Sequence, residues 1–590
     1  MHYVNTGVSR SKIFGVGEYP SGTFRFKKID GSFWNGETFR FADYTTSCFS
    51  DLDTLPLGET QLVGEKVYNT ADGYTGVLAK CYSSLILTGQ KGGDGGDGDL
   101  EGANEGYSGY VRLMFYLQEL STDDFIMPSS SNGLRKCLNL QWDASNASVI
   151  RWTYQRLYMT IAYCNELLRE CTEDKLKSRG LWNQLGGECA AYRAEARFIR
   201  AYCYSMLCDM FGAVPYIDEK TGVKDIPTQW SRKQIFEFAE GELKAVEGDL
   251  KAPGDNVYGR VDRVAAWFLL SRMYLNAQTW IGENRYNDAL TYAKKVIGDG
   301  HYPLASDYRH IFLADNNTCK EIIWPLVQDG QKAQSSAGTN FYVKAFVNGP
   351  MNELYKTGVG SRGWGNVRAK TTLVDAFDAD DVMFDTNDTW GNNKKDKRAQ
   401  FMTALPNQVK DTWDSKGAMT STYTCGYGYI KWRNVTKDDQ IPASGDAYTS
   451  IDFPLFRTGE AYLTAAEAIL RGANGTKEDA LKYVNEIRER AYMSGKYAKA
   501  GVRSDVSGDI ALNDLTLDFL MAERQRELAS ELVRRTDLIR FGKYTKGYNW
   551  DWKNGERLGT DVDDHFQLFP IPQTEFSNNP QLKPNPGYGY

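Results

Sequence analysis

The sequence predicts a mainly α-helical fold, in which a scaffold of paired helices is interrupted by a large, loop-rich and partly β insertion. Stretches before residue 300 and after residue 455 repeat apolar residues at three- to four-residue spacing, as the buried face of a helix does. Residues 301–450 are instead rich in Gly, Asn and Thr and contain short β-prone runs. We therefore expect helices over about 64–300 and 455–545 and the insertion over about 301–450.

Long amphipathic helices are predicted in the first part of the chain at 149–171 and 188–211. In the second of these, Ala194 and Phe198 fall on one face. Gly212 follows directly and predicts the end of the helix. Shorter helical stretches are expected at 64–88 and 108–120.

Two helical pairs resemble each other. "VAAWFLLSRMYLNAQTW" (264–280) precedes "YNDALTYAKKVIG" (286–298), and "GEAYLTAAEAILRGA" (459–473) precedes "KEDALKYVNEIRERA" (477–491). In each pair a first helix rich in small residues is followed by a second with the pattern acid-Ala-Leu-x-Tyr. Because alanines let two helices approach closely, this pattern is typical of tetratricopeptide-like (TPR-like) repeats.

The insertion contains three β-prone runs, "EIIWPLV" (321–327), "NFYVKAFV" (340–347) and "YGYIKWRNV" (427–435). Trp324, inside the first run, is predicted to lie in the core. The Pro- and Asn-rich carboxyl end, 565–588, is expected to be irregular chain that wraps around the body.

The composition indicates binding more than catalysis. The net charge is −7 and the sequence has no long Lys/Arg run. It therefore lacks the clustered positive charge with which proteins bind nucleic acids. The chain has only four His and neither an HExxH nor a CxxC motif, so it offers few candidates for zinc ligands or for the histidine of a catalytic triad. The chain has 36 Tyr, 27 Phe and 14 Trp, and many of them lie in Gly- and Asn-rich segments. Rings that are exposed in such segments suggest a ligand that stacks on aromatic side chains.

The amino-terminal 47 residues form an atypical segment. "TTSCFSDLDT" (45–54) places Cys48 after small polar residues and before an acidic stretch, as at the processing site of a bacterial lipoprotein. However, residues 1–47 contain no apolar stretch of the kind that a signal peptide requires. Cys48 is therefore either an acylation site or an ordinary cysteine.

Several sequence blocks resemble the signature blocks of the SusD/RagB family, in the same order. They are "AEARFIRAYCYSMLCDMFGAVPYI" (194–217), "FPLFRTGEAYLTAAEAIL" (453–470), "ERQRELASELVRRTDLIRFGKY" (523–544) and "FPIPQTEFSNNPQLKPNPGY" (569–588). The similarity covers residues 48–590, as a single SusD-like domain, and is greatest to the starch-utilisation branch of the family.

This resemblance implies a non-catalytic lipoprotein on the surface of the outer membrane. Such a protein binds an oligosaccharide or polysaccharide on a TPR-like scaffold, requires no cofactor and associates with a SusC-like TonB-dependent transporter. It also favours acylation of Cys48 as the membrane anchor. Two other classes stay open: a helical-repeat adaptor that binds a peptide or protein, and a glycoside hydrolase, which needs two carboxylates in one cleft.

The charged block at 521–544 could be an acid/base site or part of the scaffold. In a helix, Glu523, Arg526 and Glu527 are neighbours at three and four residues, as are Glu527 and Glu531. This spacing supports ion pairs, and nothing in the block supplies carboxyls with separated pKa values. We therefore predict a structural role.

A glycan platform needs exposed rings flanked by planar polar groups. Trp364 lies between Gly363 and Gly365, so its neighbours cannot bury it locally, and we expect it to be such a ring. Ser129 stands where the starch-binding branch has a Trp, which argues against assuming starch, although starch stays open if another tyrosine fills this gap. The resemblance implies polar contacts at Asn104, Arg112 and Asn132 and ring contacts at Phe341 or Tyr342 and at Trp364.

The loop "GGDGGDGDLEG" (92–102) alternates Asp and Gly. Calcium prefers such a set of oxygen ligands on a flexible backbone, although the spacing is not that of an EF-hand. The alternative is a solvated acidic loop. The candidate ligands of a structural calcium ion are Asp94, Asp97, Asp99 and Glu101.

Overall fold

The computed structural model describes residues 67–89, 98–222, 224–413 and 424–589, and two short strands nearer the amino terminus. The α-helices are α1 (Ala71–Ser83), α2 (Glu105–Ser108), α3 (Tyr110–Gln118), α4 (Leu134–Asn139), α5 (Ser148–Glu170), α6 (Glu173–Ser178), α7 (Trp182–Phe211), α8 (Arg232–Val246), α9 (Arg263–Ile281), α10 (Tyr286–Asp299), α11 (Thr339–Phe346), α12 (Thr371–Asp375), α13 (Ala379–Val382), α14 (Thr458–Leu470), α15 (Lys477–Tyr492), α16 (Leu517–Leu528), α17 (Arg534–Arg540) and α18 (Gln573–Asn578). The strands are β1 (Thr23–Phe24), β2 (Phe39–Arg40), β3 (Phe125–Ile126), β4 (Val214–Pro215), β5 (Gln229–Trp230), β6 (Ile322–Leu326), β7 (Arg368–Ala369), β8 (Phe401–Met402), β9 (Gly428–Tyr429) and β10 (Phe453–Arg457).

The long helices pack in series, each against the next. Helix α5 packs on α7, α7 on α8, α8 on α9, α9 on α10, α10 on α14, and α14 on α15. The insertion therefore leaves the array after α10 and returns to it at α14, and these two helices still pack against each other. None of the helices in the described ranges is both long and apolar enough to cross a membrane.

The predicted mainly α fold is confirmed. The repeated pairs are the helix pairs α9–α10 and α14–α15, and the long amphipathic stretches are α5 and α7. Helix α7 ends where predicted, because Gly212 has a φ of 70°, which disfavours any residue with a Cβ atom.

The β content of the insertion is only partly as predicted. β6, within the first β-prone run, pairs antiparallel with β10, and Trp324 is fully buried, as expected of a core residue. The prediction for 340–347 is wrong, since this run is the helix α11. The rings of Phe341 and Phe346 both pack on Phe115 of α3, at centroid distances of 5.2 and 5.6 Å, so tertiary packing outweighs the β propensity of the run.

The charged block at 521–544 is two helices rather than one. Helix α16 ends at Leu528, and Ser530 and Leu532 have φ angles of 68° and 67°. The expected helical spacing of Glu527 and Glu531 is therefore wrong, because the turn directs Glu531 elsewhere. The backbone N–H of Leu532 donates to Glu119 Oε1 at 2.5 Å, which holds this strained turn in place.

The block forms a buried network of ion pairs that joins distant parts of the chain, and its predicted structural role agrees with this arrangement. Glu527 lies between three guanidinium groups: it is 2.7 Å from Arg457 and 3.1 Å from Arg398, and it also pairs with Arg490. Glu523 pairs with the same Arg398 at 2.8 Å. The other buried pairs include Arg524–Asp537, Arg534–Asp123, Arg540–Glu467, Arg457–Glu531 and Lys431–Glu531.

The carboxyl end crosses the surface of the body mainly as irregular chain, with the short helix α18 as an exception. Asn585 anchors this segment, because its Nδ2 donates to the carbonyls of Phe211 and Phe569, both at 2.8 Å. Trp142 Nε1 also donates to Tyr588 OH at 2.8 Å.

Candidate functional site

The polar loop that contains Asn104 and Arg112 meets the aromatic segment that contains Phe341, because Gly109 permits a close approach. A Cβ atom at Gly109 would lie 2.5 Å from the Cβ of Ala337, closer than real contacts allow. The N–H of Arg112 then donates to the carbonyl of Ala337 at 3.1 Å. Helix α3, which carries Arg112, is thereby held beside the start of α11, which carries Phe341.

Arg112 is the centre of an aromatic cluster. Its guanidinium carbon lies 4.2 Å from the ring centroid of Tyr107, 4.6 Å from that of Phe341 and 5.5 Å from that of Trp364. Its Nε donates to Tyr116 OH at 2.5 Å, and Nη1 donates to the carbonyl of Gly106. The remaining nitrogen, Nη2, has no hydrogen-bond partner among the described residues and is not sealed from solvent. The side chain is therefore held rigidly and is 5% exposed, with Nη2 as the one donor nitrogen left for a ligand.

Trp364 supplies the open face of the cluster. Its side chain is 42% exposed, and no other Phe, Tyr or Trp of the described ranges is exposed. The backbone N–H of Trp364 donates to the carbonyl of Lys344 at 2.6 Å, which fixes the loop that carries Trp364 to the end of α11. Gly363 fits this turn because a Cβ there would lie 2.3 Å from the carbonyl oxygen of Val347. A ring held in this way costs little entropy when it stacks on a ligand.

Phe341 and Tyr342 are both fully buried, unlike the exposed ring contact that the sequence suggested. Tyr342 packs parallel to Phe346 at 5.7 Å and belongs to the core. Phe341 instead packs beneath the cluster, with its ring 6.5 Å from that of Trp364. Phe341 supports the open surface from below, and in this structure neither ring offers a free face to a ligand.

Asn104 lies beside the cluster. It is exposed, and its Oδ1 accepts a hydrogen bond from the N–H of Gly106 at 2.8 Å, which caps the one-turn helix α2. The carbonyl of Gly106 in turn receives Arg112 Nη1. Asn104 therefore both orients Arg112 and presents its amide nitrogen at the surface.

Asn132 stands apart from these groups. It is half-buried, has a φ of 55° and precedes Gly133, whose missing Cβ would lie 2.4 Å from the Cα of Ala147 at the start of α5. In the described ranges, no hydrogen bond or ring contact joins Asn132 to Arg112 or Trp364. Its role as a ligand contact stays a prediction.

Tyr107 belongs to the aromatic cluster around Arg112, although the sequence did not single it out. Its ring is half-exposed and covers one face of the Arg112 guanidinium. The available signal was its position in the same Gly-rich loop as Asn104 and Arg112. Tyr107 lies in α2, in a different segment of the chain from Ser129.

The candidate calcium ligands are only partly described. Asp94 and Asp97 lie outside the described residues, and Glu101 is exposed. Both oxygens of Asp99 accept hydrogen bonds from the buried Arg156, each at 2.6 Å. In the part of the chain that the structure describes, no three His, Cys, Asp or Glu side chains form a group that could hold a metal ion. The calcium site stays a prediction, as does the acylation of Cys48, which also lies outside the described residues.

The carboxylates of the 521–544 block are not arranged for acid/base catalysis. Burial raises the pKa of Glu523, but Arg398, Arg526 and Arg488 outweigh burial and hold this pKa well below its usual range. Glu527 is likewise fully buried among arginines. Both groups are held in the ionised form and have no exposure to solvent, an arrangement that does not suit proton exchange with a substrate.

Comparison with known proteins relates this geometry to a family. A family profile described as "SusD family" matches residues 320–588, and one described as "Starch-binding associating with outer membrane" matches residues 100–275. "Starch-binding protein SusD" of Bacteroides thetaiotaomicron is 32% identical over 574 residues, which cover 92% of this chain and 96% of that protein. The chain belongs to the SusD family. Arg112 and Trp364 lie in different profile matches, so the aromatic cluster joins two segments that both resemble the SusD family.

More distant SusD-family relatives share the fold. A SusD-like protein of Bacteroides ovatus is 23% identical over 67% of this chain and 68% of its own length. Surface glycan-binding protein A from B. thetaiotaomicron, solved in complex with laminarihexaose, has a TM-score of 0.61 at 19% identity and covers 87% of this chain and 99% of its own. A SusD superfamily protein from Bacteroides vulgatus has a TM-score of 0.62 at 18% identity, covering 88% and 100%.

Proposed function

We propose that this protein is a non-catalytic, surface-exposed lipoprotein of the outer membrane that binds an oligosaccharide or polysaccharide and delivers it to a SusC-like TonB-dependent transporter. The observation that carries glycan binding is the exposed Trp364 ring beside the Arg112 guanidinium, whose Nη2 has no partner among the described residues. Sugars have apolar C–H faces, which stack on rings, and hydroxyls, which accept from a guanidinium. The names of two relatives, a starch-binding protein and a glycan-binding protein solved with laminarihexaose, support the same ligand class.

Two alternatives have less support. Burial of Trp364 would favour a peptide-binding adaptor over a glycan-binding protein, and the ring is exposed. A glycoside hydrolase needs two carboxylates in one cleft, and the acidic residues of the 521–544 block are buried in ion pairs. The named relatives are binding proteins, which supports a role without catalysis.

Affinity electrophoresis tests glycan binding. The protein is run through native gels containing starch, laminarin, dextran, levan, xylan, pectin or mucin glycans. We expect retardation in one gel, at least tenfold weaker binding (about 1.4 kcal/mol) for Trp364→Ala, and no release of reducing sugar. Leu558→Ala is the matched control, because Leu558 is 83% exposed and lies outside the cluster. Unretarded migration in every gel, or equal retardation of Trp364→Ala, would refute binding at this surface.

The anchor and the transporter need separate tests. Cys48→Ser should abolish incorporation of labelled palmitate in a Bacteroides host, and Cys81→Ser, at a buried cysteine of α1, should not. A tagged chain isolated from detergent-solubilised outer membranes should carry a TonB-dependent transporter with it. Retention of the label by Cys48→Ser would refute acylation at that residue. Recovery of the chain alone after mild crosslinking would refute the stable association.

A further inference from the structure

Two cysteines meet where α5 ends and α7 passes beside it. Cys171 directly follows α5, and Cys189 lies within α7. Their Sγ atoms are 3.7 Å apart, and the thiol of Cys171 donates a hydrogen bond to Cys189 Sγ. A disulfide bond has a length of about 2.05 Å, so the two sulfurs must approach each other by about 1.6 Å to form one.

The two chain segments are fixed at this point. Arg193 is one helical turn beyond Cys189, and its Nη1 donates to the carbonyls of Leu168 and Cys171 at 2.7 and 2.9 Å. The last turn of α5 is thereby tied to α7 at the position of the two sulfurs. The pair is consequently held together whether or not a covalent bond joins it.

This pair differs from the other buried cysteines. Cys81 and Cys164 also lie close together, but both are fully buried, and burial raises the pKa of the Cys81 thiol well above its usual range. The hydrogen bond from Cys171 lowers the pKa of Cys189 to about 7, with a further contribution from Arg193 that opposes the effect of burial. Cys189 also keeps 7% exposure. It is therefore the more reactive thiol, because thiolate content and access both control reactivity.

We propose that Cys171 and Cys189 are a redox-active pair that forms a disulfide when the folded protein meets an oxidant of the disulfide class. The Cys189 thiolate attacks one sulfur of the oxidant, which forms a mixed disulfide and releases one thiolate. The Cys171 thiol loses its proton to solvent, and its sulfur attacks the Cys189 sulfur and releases the second thiolate. Two protein thiols are oxidised, and one disulfide is reduced to two thiols.

The bond would close a short loop of chain that contains α6, and it would join the end of α5 to α7 covalently. The two residues are 18 positions apart, so the constraint falls on the connection between the first two long helices of the array. Oxidation should therefore stabilise this end of the scaffold and leave the aromatic cluster, built on α3 and α11, unchanged.

Peptide mapping of the full chain tests the proposal. The folded protein, carrying Cys48→Ser to exclude pairing with that cysteine, is treated with oxidised glutathione, alkylated and digested with trypsin without reduction. Cleavage at Lys175, Lys177 and Arg179 places the two cysteines in different peptides. We expect one linked peptide pair and a melting temperature that rises by several degrees and returns when dithiothreitol is added.

Three variants serve as controls. Cys171→Ser and Cys189→Ser should each abolish the linked peptide, whereas Cys81→Ser should retain it; far-UV circular dichroism checks that each variant is folded. Recovery of Cys171 and Cys189 as separate alkylated or glutathionylated peptides, from folded wild-type protein, would overturn the proposal. A linked peptide with an unchanged melting temperature would support the disulfide and contradict the expected stabilisation of this end of the scaffold.

Discussion

Replacing Glu527 by Gln tests whether the buried ion pairs hold the fold together. Glu527 is the carboxylate that Arg398, Arg457 and Arg490 share, and all four side chains have almost no exposure to solvent. Gln keeps the shape and removes the charge. The three guanidinium groups then keep only their other partners, among them Glu523 for Arg398.

The pKa of Glu527 gives the expected size of the loss. Burial raises this pKa, but Arg490, Arg457 and Arg398 outweigh burial and lower it from 4.5 to about 2. At about 1.4 kcal/mol per pH unit, the folded state favours the ionised form by about 3 kcal/mol. This agrees with the cost of about 3–5 kcal/mol for breaking a buried pair. Because the pKa is lower in the folded state, the contribution is present above about pH 4.5 and is lost as the pH falls to about 2.

Urea unfolding followed by tryptophan fluorescence measures the effect. Glu283→Gln is the matched control: Glu283 pairs with Lys233 at the surface, where both side chains are more than a third exposed, and should cost less than about 1 kcal/mol. We expect the difference between wild type and Glu527→Gln to be about 3 kcal/mol near neutral pH and to shrink as the pH is lowered toward 3. A loss no larger than that of Glu283→Gln, or a loss independent of pH, would refute this reasoning.

Three further changes have defined outcomes. Arg112→Lys keeps the charge but loses the planar group between two rings, so glycan affinity should fall about tenfold in calorimetry. The melting temperature should also fall, because the hydrogen bonds to Tyr116 and Gly106 are lost. Gly109→Val should lower both affinity and melting temperature, because its side chain would collide with Ala337; equal affinity would contradict the proposed close approach. Burial and the neighbouring Asp123 raise the pKa of Asp124 to about 6, despite Arg534. Wild type should therefore gain stability relative to Asp124→Asn as the pH falls from about 6 to 4 in urea titrations, and a constant difference would contradict the raised pKa.

Much of the helical scaffold could be predicted from the sequence, because its signals are local. In the pair α14–α15, apolar spacing and small residues specify both helices. The run at 340–347 could not be assigned correctly, since rings at 341, 342 and 346 suit either a buried strand or a buried helix. Contact with Phe115 decides between them, and no local pattern encodes that contact.

The candidate site could be predicted in part. Trp364 was expected to be exposed because it lies between glycines, and its side chain is exposed in the structure. The stacking of Tyr107 on Arg112 and the burial of Phe341 depend on how α3 and α11 meet. That meeting depends on the contact between Gly109 and Ala337, which are far apart in the sequence, so the order of the rings follows only from the folded chain.

The ion-pair network also limits how this protein could be divided or recombined. Arg398 and Lys431, in the insertion, are bound to Glu523 and Glu531, in the segment that follows the helical array. Exchanging the insertion with that of a relative would leave charges from both parents buried without partners unless the facing residues were exchanged as well. Changes of ligand preference are therefore easier to obtain by point substitutions in the loop around Trp364 than by grafting whole segments.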